Sequence, residues 1–437
     1  MKKNFYLLIT ALVVFVAAAE AQSGGLLLYN MERVPQSNQM NPAQFPTDTK
    51  MFFSLPSFDF AVEFPFSYSD AITRGRDDSL RLDPAHFLSK LYSKNKIQLS
   101  LNTQLLGFGI KIKDSLIITF STSVRSSFNF NFSKDLINFA VHGNEPYLGK
   151  TASLINNGVG GASAWAEYAI GAGYKINEKL SVGGKLKLLS GIMNISTKGS
   201  NLSLYTSPTG DMLRANCHVN IRTSVPENAS FSSVAFGKNK GFGVDFGGTY
   251  SINKMFDVAA SVVDLGFINW KDNTTAYRSS ENSREFEFRG FEWDDLWKDG
   301  EFNSDFFTNF TDTLKSIISL DTIENMGAYR TMTPAKIFLS GGYRINNLFK
   351  VNAVYRMLFA EKSMYSAFAL SAHYYSGKWF EASVGNTIIG KSFFNPGLAM
   401  NVSLGGVFQI FGAVDFSSLQ LAKARTFNAQ VGINLMF

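Results

Sequence analysis

The sequence predicts an all-β fold, a transmembrane antiparallel β-barrel of about fourteen strands with an N-terminal hatch or plug segment. Three observations lead there. The chain opens on an export leader, it is rich in apolar residues without a second long apolar run, and its apolar residues alternate with polar ones over many segments.

The leader comes first. Lys2 and Lys3 precede an apolar stretch, Phe5 to Ala19, that is short for a spanning helix. Ala19-Glu20-Ala21 puts small residues where a signal peptidase reads, so residues 1–21 are expected to be a signal peptide cleaved before Gln22. No cysteine stands near that point, which argues against a lipid anchor. The sole cysteine, Cys217, cannot form an internal disulfide.

Composition narrows the class. Hydrophobic residues make up 45% of the 437, yet nothing after the leader approaches the roughly 20 consecutive apolar residues that a helical span needs. Strands that turn one side chain to lipid and the next to a lumen never build such a run. The 41 Phe, 16 Tyr and 36 Gly fit the aromatic girdles and crowded interior of a barrel. The formal charge of +6 is dispersed, with no basic cluster interleaved with aromatics, so a nucleic-acid partner is not expected.

Residues 22–95 differ in character from the remainder of the chain and are expected to form the hatch. They hold Asn41-Pro42-Ala43, an apolar run over Met51–Phe60, and a helix capped by Asp83 with Pro84 at its first position. Residues 96–437 are expected to form the barrel. In Gly241–Ile252 the apolar set Phe242, Val244, Phe246, Tyr250 and Ile252 alternates with Gly243, Asp245, Gly247, Thr249 and Ser251. Similar runs fall at Leu116–Phe132, Tyr168–Ile176, Leu180–Leu188, Ile337–Ile345, Phe349–Met357 and Phe380–Ile388. At the end of the chain, Phe427, Ala429, Val431, Ile433, Leu435 and Phe437 share a face opposite Asn428, Gln430, Gly432 and Asn434.

The turns repeat. Tyr174-Lys-Ile176-Asn177-Glu-Lys-Leu180 is echoed by Tyr250-Ser-Ile252-Asn253-Lys-Met-Phe256 and by Tyr343-Arg-Ile345-Asn346-Asn-Leu-Phe349. Each reads as a tight hairpin led by Asn, a residue that tolerates the left-handed backbone such turns use. Lys113-Asp114 and Gly377-Lys378 read as two more. Short turns belong on the periplasmic side of outer-membrane barrels. Lys271–Thr333, rich in charge and in aromatics such as Trp293 and Trp297, with helical spacing over Phe306–Ile318, is expected to be a large extracellular loop over the mouth. At Leu105-Leu106 the apolar phase moves from odd (Ile97, Leu99, Leu101) to even (Phe108, Ile110, Ile112), which demands a bulge.

On these residues the chain resembles a known group. Asn41-Pro42-Ala43, the block from Phe87-Leu-Ser-Lys-Leu91 to Leu105-Leu-Gly-Phe-Gly109, and Glu167-Tyr-Ala-Ile-Gly171 to Gly191 resemble a Bacteroidota outer-membrane family classed as a domain of unknown function. More distantly the chain is similar to the long-chain fatty acid transporter (FadL) superfamily, fourteen-stranded barrels with an N-terminal hatch that carries an Asn-Pro-Ala triplet. The resemblance implies a passive outer-membrane channel for hydrophobic or amphipathic small molecules. It also implies the alternative of a non-transporting scaffold, or a barrel associated with a secretion system, that binds proteins through its loops.

Catalytic patterns are missing. His86, His142, His218 and His373 lack metal-ligand spacing, there is no Gly-x-Ser-x-Gly elbow or phosphate loop, and Gly158-Val-Gly-Gly161 precedes a strand, not a helix. Neither an enzyme nor a cofactor is expected. Arg125, Glu167, Lys185, Lys187, Asp245, Arg356, Glu381 and Asp415 fall on polar faces and should point into the lumen, because a Lys or Arg turned to lipid near the midplane costs about 2–4 kcal/mol. Gln430-x-Gly432-x-x-Leu435-x-Phe437 resembles the terminal signal read by the barrel-assembly machinery, the partner expected during biogenesis. A continuous apolar groove from loops to hatch would favour transport. A lumen filled by its own charged side chains would favour a scaffold.

Overall fold

Fourteen antiparallel strands close on themselves in the computed structural model, which describes residues 25–46, 48–74, 79–113, 115–226, 235–279, 285–288, 297–298, 301–302, 320–360, 363–389 and 392–437. The strands are β1 (Met51–Ser54 and Ser57–Glu63), β2 (Lys94–Ile112), β3 (Leu116–Ser133), β4 (Gly160–Lys175), β5 (Leu180–Ser196), β6 (Asn239–Ser251) and β7 (Phe256–Trp270). Next come β8 (Tyr329–Met332 and Ala335–Arg344), β9 (Phe349–Ala360), β10 (Ser363–Ser376), β11 (Phe380–Ile389), β12 (Pro396–Leu404), β13 (Phe408–Phe416) and β14 (Thr426–Met436). Each pairs with its sequence neighbours, and β14 pairs with β1, so no edge is left open.

Alternation decides which way each side chain points. Along β14 the burial pattern places Thr426, Asn428, Gln430, Gly432, Asn434 and Met436 inside, while Val431 is 51% exposed. Phe246, Leu186, Ile170, Leu370 and Val384 are likewise exposed on the outer wall. A barrel can leave so much apolar surface unpartnered only where lipid covers it.

Short turns gather at one end, and the other carries the long loops together with the two-residue link from Ala360 to Ser363. The three echoed turns share one geometry. The Ile176, Ile252 and Ile345 N–H groups each donate at 2.9 Å to the carbonyl four residues on. The Oδ1 atoms of Asn177, Asn253 and Asn346 each accept two backbone N–H bonds at 2.8 and 2.9 Å. None of the three asparagines has positive φ. They act as side-chain acceptors that mimic a backbone turn, not as left-handed residues. Lys113 and Gly377 do hold positive φ, as do Gly405 and Gly406 in a turn between β12 and β13.

Two expectations change. Residues 22–95 are not all hatch, because Met51–Glu63 is a barrel strand and places Phe53 and Phe58 on the exposed outer face. The sequence pattern hides this strand because Leu55-Pro56 flips its phase, with Phe52 and Ser54 buried before it and Ser57 and Ala61 after. The phase of β2 flips at the same level, where the ladder with β3 slips between Gln104 and Leu106 and leaves Leu105 as the expected bulge. The Asp83-capped helix, α1 (Pro84–Lys90), forms as expected, with Asp83 accepting the His86 N–H at 2.9 Å, but it lies in the first long loop.

The third and fourth long loops continue as sheet. Asn220–Ser224 pairs with the end of β5 and with Thr274–Ser279, which pairs with Leu320–Glu324. A separate four-stranded sheet runs Glu285–Phe288, Leu213–His218, Asn201–Thr206, Thr151–Ile155. Part of the Lys271–Thr333 loop is thus strand. Its expected helix over Phe306–Ile318, and residues 1–21, lie outside the described residues.

Candidate functional site

The lumen is built in three levels, and the lowest is the hatch. Residues 25–44 form two short 3-10 helices, Leu26–Asn30 and Pro35–Gln39, whose backbone hydrogen bonds run within the segment. Leu26 and Tyr29 pack on Val263, Phe338, Val354 and Leu358, and Tyr29 stacks on Phe338 at 5.2 Å between ring centres. Leu27, Leu28, Met31 and Val34 pack on Ala399, Phe411 and Ala413. Side chains supply the polar ties. Gln36 and Asn434 exchange two bonds at 2.9 and 3.0 Å, the Ser261 hydroxyl donates to the Met40 carbonyl at 2.6 Å, and Gln409 donates to the Arg33 carbonyl at 3.0 Å. Lys350 bridges Glu32 at 2.6 Å and Asp257 at 2.9 Å.

Asn41-Pro42-Ala43 lies on the β5–β6 wall. Asn41 donates to the Tyr29 hydroxyl at 3.1 Å and its Oδ1 accepts the Ala43 N–H at 3.0 Å, closing a local turn. Burial pushes the Tyr29 hydroxyl pKa up, so the phenol stays neutral beside Asn41. A Cβ at Gly183 would strike the Pro42 carbonyl and one at Gly247 would strike Asn41, so both glycines leave room for the triplet. Lys185 donates to the Asn38 carbonyl at 2.8 Å from the same wall.

Above the β5–β6 seat stands an ion network. Lys187 lies 2.6 Å from Asp264, 2.7 Å from Asp245 and 3.4 Å from Glu167. Arg125 reaches Glu167 at 3.0 Å and Asp264 at 2.9 Å, and Lys336 reaches Asp264 at 2.9 Å. Three cations therefore face three carboxylates, drawn from six different strands.

Four of the eight expected lumen charges meet in this network. Lys185 turns to the hatch instead. Glu381 sits 3.7 Å from His373, and Asp415 accepts from Asn428 at 3.1 Å. Arg356 is 3% exposed and has no carboxylate in salt-bridge range among the described residues. Asp264 escapes the sequence pattern, since strict alternation from Phe256 turns it to lipid. It holds φ 61°, opposite a register slip between Val244 and Phe246 that turns it inward. The visible signal is the phase change at Val263-Asp264.

A cavity of about 480 Å³ occupies the third level, toward the long loops. It is walled by Gln98, Asn102, Asn129, Trp165 and Trp270 among others, and it meets a second space of about 90 Å³ whose floor is Gln36, Gln39 and Met40 of the hatch. Arg356, Asp59 and Asn102 line both. The lumen thus carries no continuous apolar groove among the described residues.

The profile of the Family of unknown function (DUF5723) matches residues 42–415. The chain belongs to this family. The DUF5723 match starts inside the Asn41-Pro42-Ala43 seat, spans the whole ion network and stops within β13. No curated protein matches the chain. Among solved structures, the chain is similar to the Ralstonia pickettii toluene transporter TbuX, at 10% identity and a TM-score of 0.48, over 93% of this chain and 94% of that one. It is also similar to the Pseudomonas putida toluene transporter TodX, at 11% identity and a TM-score of 0.47, over 92% and 94%. A Pseudomonas aeruginosa FadL homologue matches at 9% identity and a TM-score of 0.45, over 96% and 99%.

Proposed function

We propose that this DUF5723 barrel is a hatch-plugged passive channel of the outer membrane for small amphipathic molecules, with its short turns in the periplasm and its long loops outside. The observation that carries this reading is the cavity of about 480 Å³ that leads, through the space of about 90 Å³ beside it, to a hatch tied to the wall by side chains and not by a strand ladder. That volume lies within the roughly 300–1,000 Å³ of small-molecule sites. The mixed lining favours a cargo with polar and apolar faces over a bare hydrocarbon. A hatch without backbone pairing can shift while the barrel stays closed.

The test is conductance in planar bilayers. The intact chain should be nearly silent, and a deletion of Gln22–Gln44 should conduct, since β1 starts beyond it and the ring still closes. Equal conductance from both would remove the plug. Silence from both would favour a non-transporting scaffold that binds proteins through its loops. The bridging of six strands by the ion network, and the extra sheet built from the loops, support that second reading.

A further inference from the structure

The ion network leaves much of the cavity's charge unanswered. Among the described residues, seven Lys and Arg but only two carboxylates, Asp59 and Asp264, line the larger cavity. Asp264 is already engaged by Arg125 and Lys336. Of the others, Lys96 donates to the Tyr365 hydroxyl, while Arg222 and Arg330 lie over the rings of Tyr329 and Phe267. These contacts leave the positive charge in place. Arg356 is the extreme case. Its Nε and Nη2 are buried without a hydrogen-bond partner among the described residues, at the junction of the cavity and the hatch floor, although the carboxylates of Asp415, Glu63 and Asp59 act on its charge. A buried guanidinium with free donors is costly unless an acceptor arrives, and its planar fork suits a carboxylate or phosphate. The neighbouring wall sets hydroxyl and amide groups, such as Ser100, Ser127, Asn129 and Ser163, beside the rings of Trp165 and Trp270. Along β2, Gln98, Ser100 and Asn102 line the cavity.

We propose that this cavity is a binding site for hydroxylated organic anions of the sugar-acid or sugar-phosphate kind, with Arg356 holding the anionic group directly above the hatch. The idea rests on the channel reading and deepens it by naming its cargo. The excess of positive charge would draw anions in and weaken with salt.

The experiment is binding to the full-length protein in an uncharged polyoxyethylene detergent, followed by quenching of Trp165 and Trp270, which line the cavity. Glucuronate and glucose 6-phosphate should each bind at least about tenfold more tightly than glucose or octanoate, and should weaken in roughly 0.5 M salt. A preference between the two identifies the acid group and upholds the site. Arg356→Gln should lose about tenfold for both anions, and Arg356→Lys should recover part of it. Equal binding of glucose, tighter binding of octanoate, or unchanged affinity in Arg356→Gln would overturn the site. If Arg356→Gln fails to give the heat-modifiable folded form, the ratio of glucuronate to glucose in the natural chain decides alone. Uptake by liposomes separates this idea from the one beneath it. Anion binding without uptake upholds the site and removes the channel, while uptake indifferent to Arg356 removes the site and leaves the channel.

Discussion

Asp264 holds a left-handed backbone that few residues other than glycine accept, at a cost on the order of 1–3 kcal/mol. It is repaid by three cations, so the strain and the network stand or fall together. Asp264→Asn keeps the shape and tolerates the backbone, but it leaves Arg125, Lys187 and Lys336 with two carboxylates. Such a breach of a buried network should cost about 3–5 kcal/mol, read as a lower melting midpoint of the heat-modifiable form. The glycines of the β5–β6 wall act by absence. Gly183→Val would push against the Pro42 carbonyl, which is backbone and cannot swing away. The barrel should still assemble, and bilayer recordings should change from near silence to open events. A silent Gly183→Val protein would mean that the hatch accommodates the methyls without leaving its seat. The inward charges are legible in the sequence because period two and the cost of a charge in lipid give the same answer. Asp264 is not, because a single bulge inverts that rule for every residue after it.

Among the elements, strands and turns are the most readable. Alternation needs no tertiary knowledge, and an Asn followed by an apolar restart marks a hairpin from four or five residues. The element that escapes, β1, contains Pro56, which cannot donate to a ladder and splits the strand into two halves of opposite phase. Without β1 the hatch boundary moves and α1 falls inside the hatch, although the capping residues of that helix are plain. Local chemistry tells that a helix forms at Pro84–Lys90; only the pairing of β1 with β14 tells where it lies. The cavity is less legible still. Its wall draws on residues from Asp59 to Ala360, and no local pattern reveals that Arg356 Nε and Nη2 go without a hydrogen-bond partner among the described residues.

For the molecule as a whole, the β14–β1 ladder closes the ring and the last residue extends it. The Phe437 N–H donates to the Met51 carbonyl at 2.7 Å, its own carbonyl accepts from Lys50 and Met51, and its ring meets Phe53 edge-on at 6.3 Å. Deleting Phe437 should sharply lower the folded form in outer membranes, measured by heat-modifiable migration. Assembly at the natural level would show that Gln430, Gly432 and Leu435 suffice without it. The hatch has a different standing. Every barrel strand shares its backbone hydrogen bonds with two neighbours, so no strand can open alone. The hatch shares no backbone-to-backbone bond with them among the described residues, and its amides are protected only by one-turn helices and burial. One chain should therefore exchange its amide hydrogens on two clocks, with residues 25–44 opening as a small cooperative unit far below the free energy that opens the wall. Deuterium labelling in micelles would register the faster clock as early mass gain in the peptide from Gly25 to Gln44. A single shared rate would mean that plug and wall melt as one.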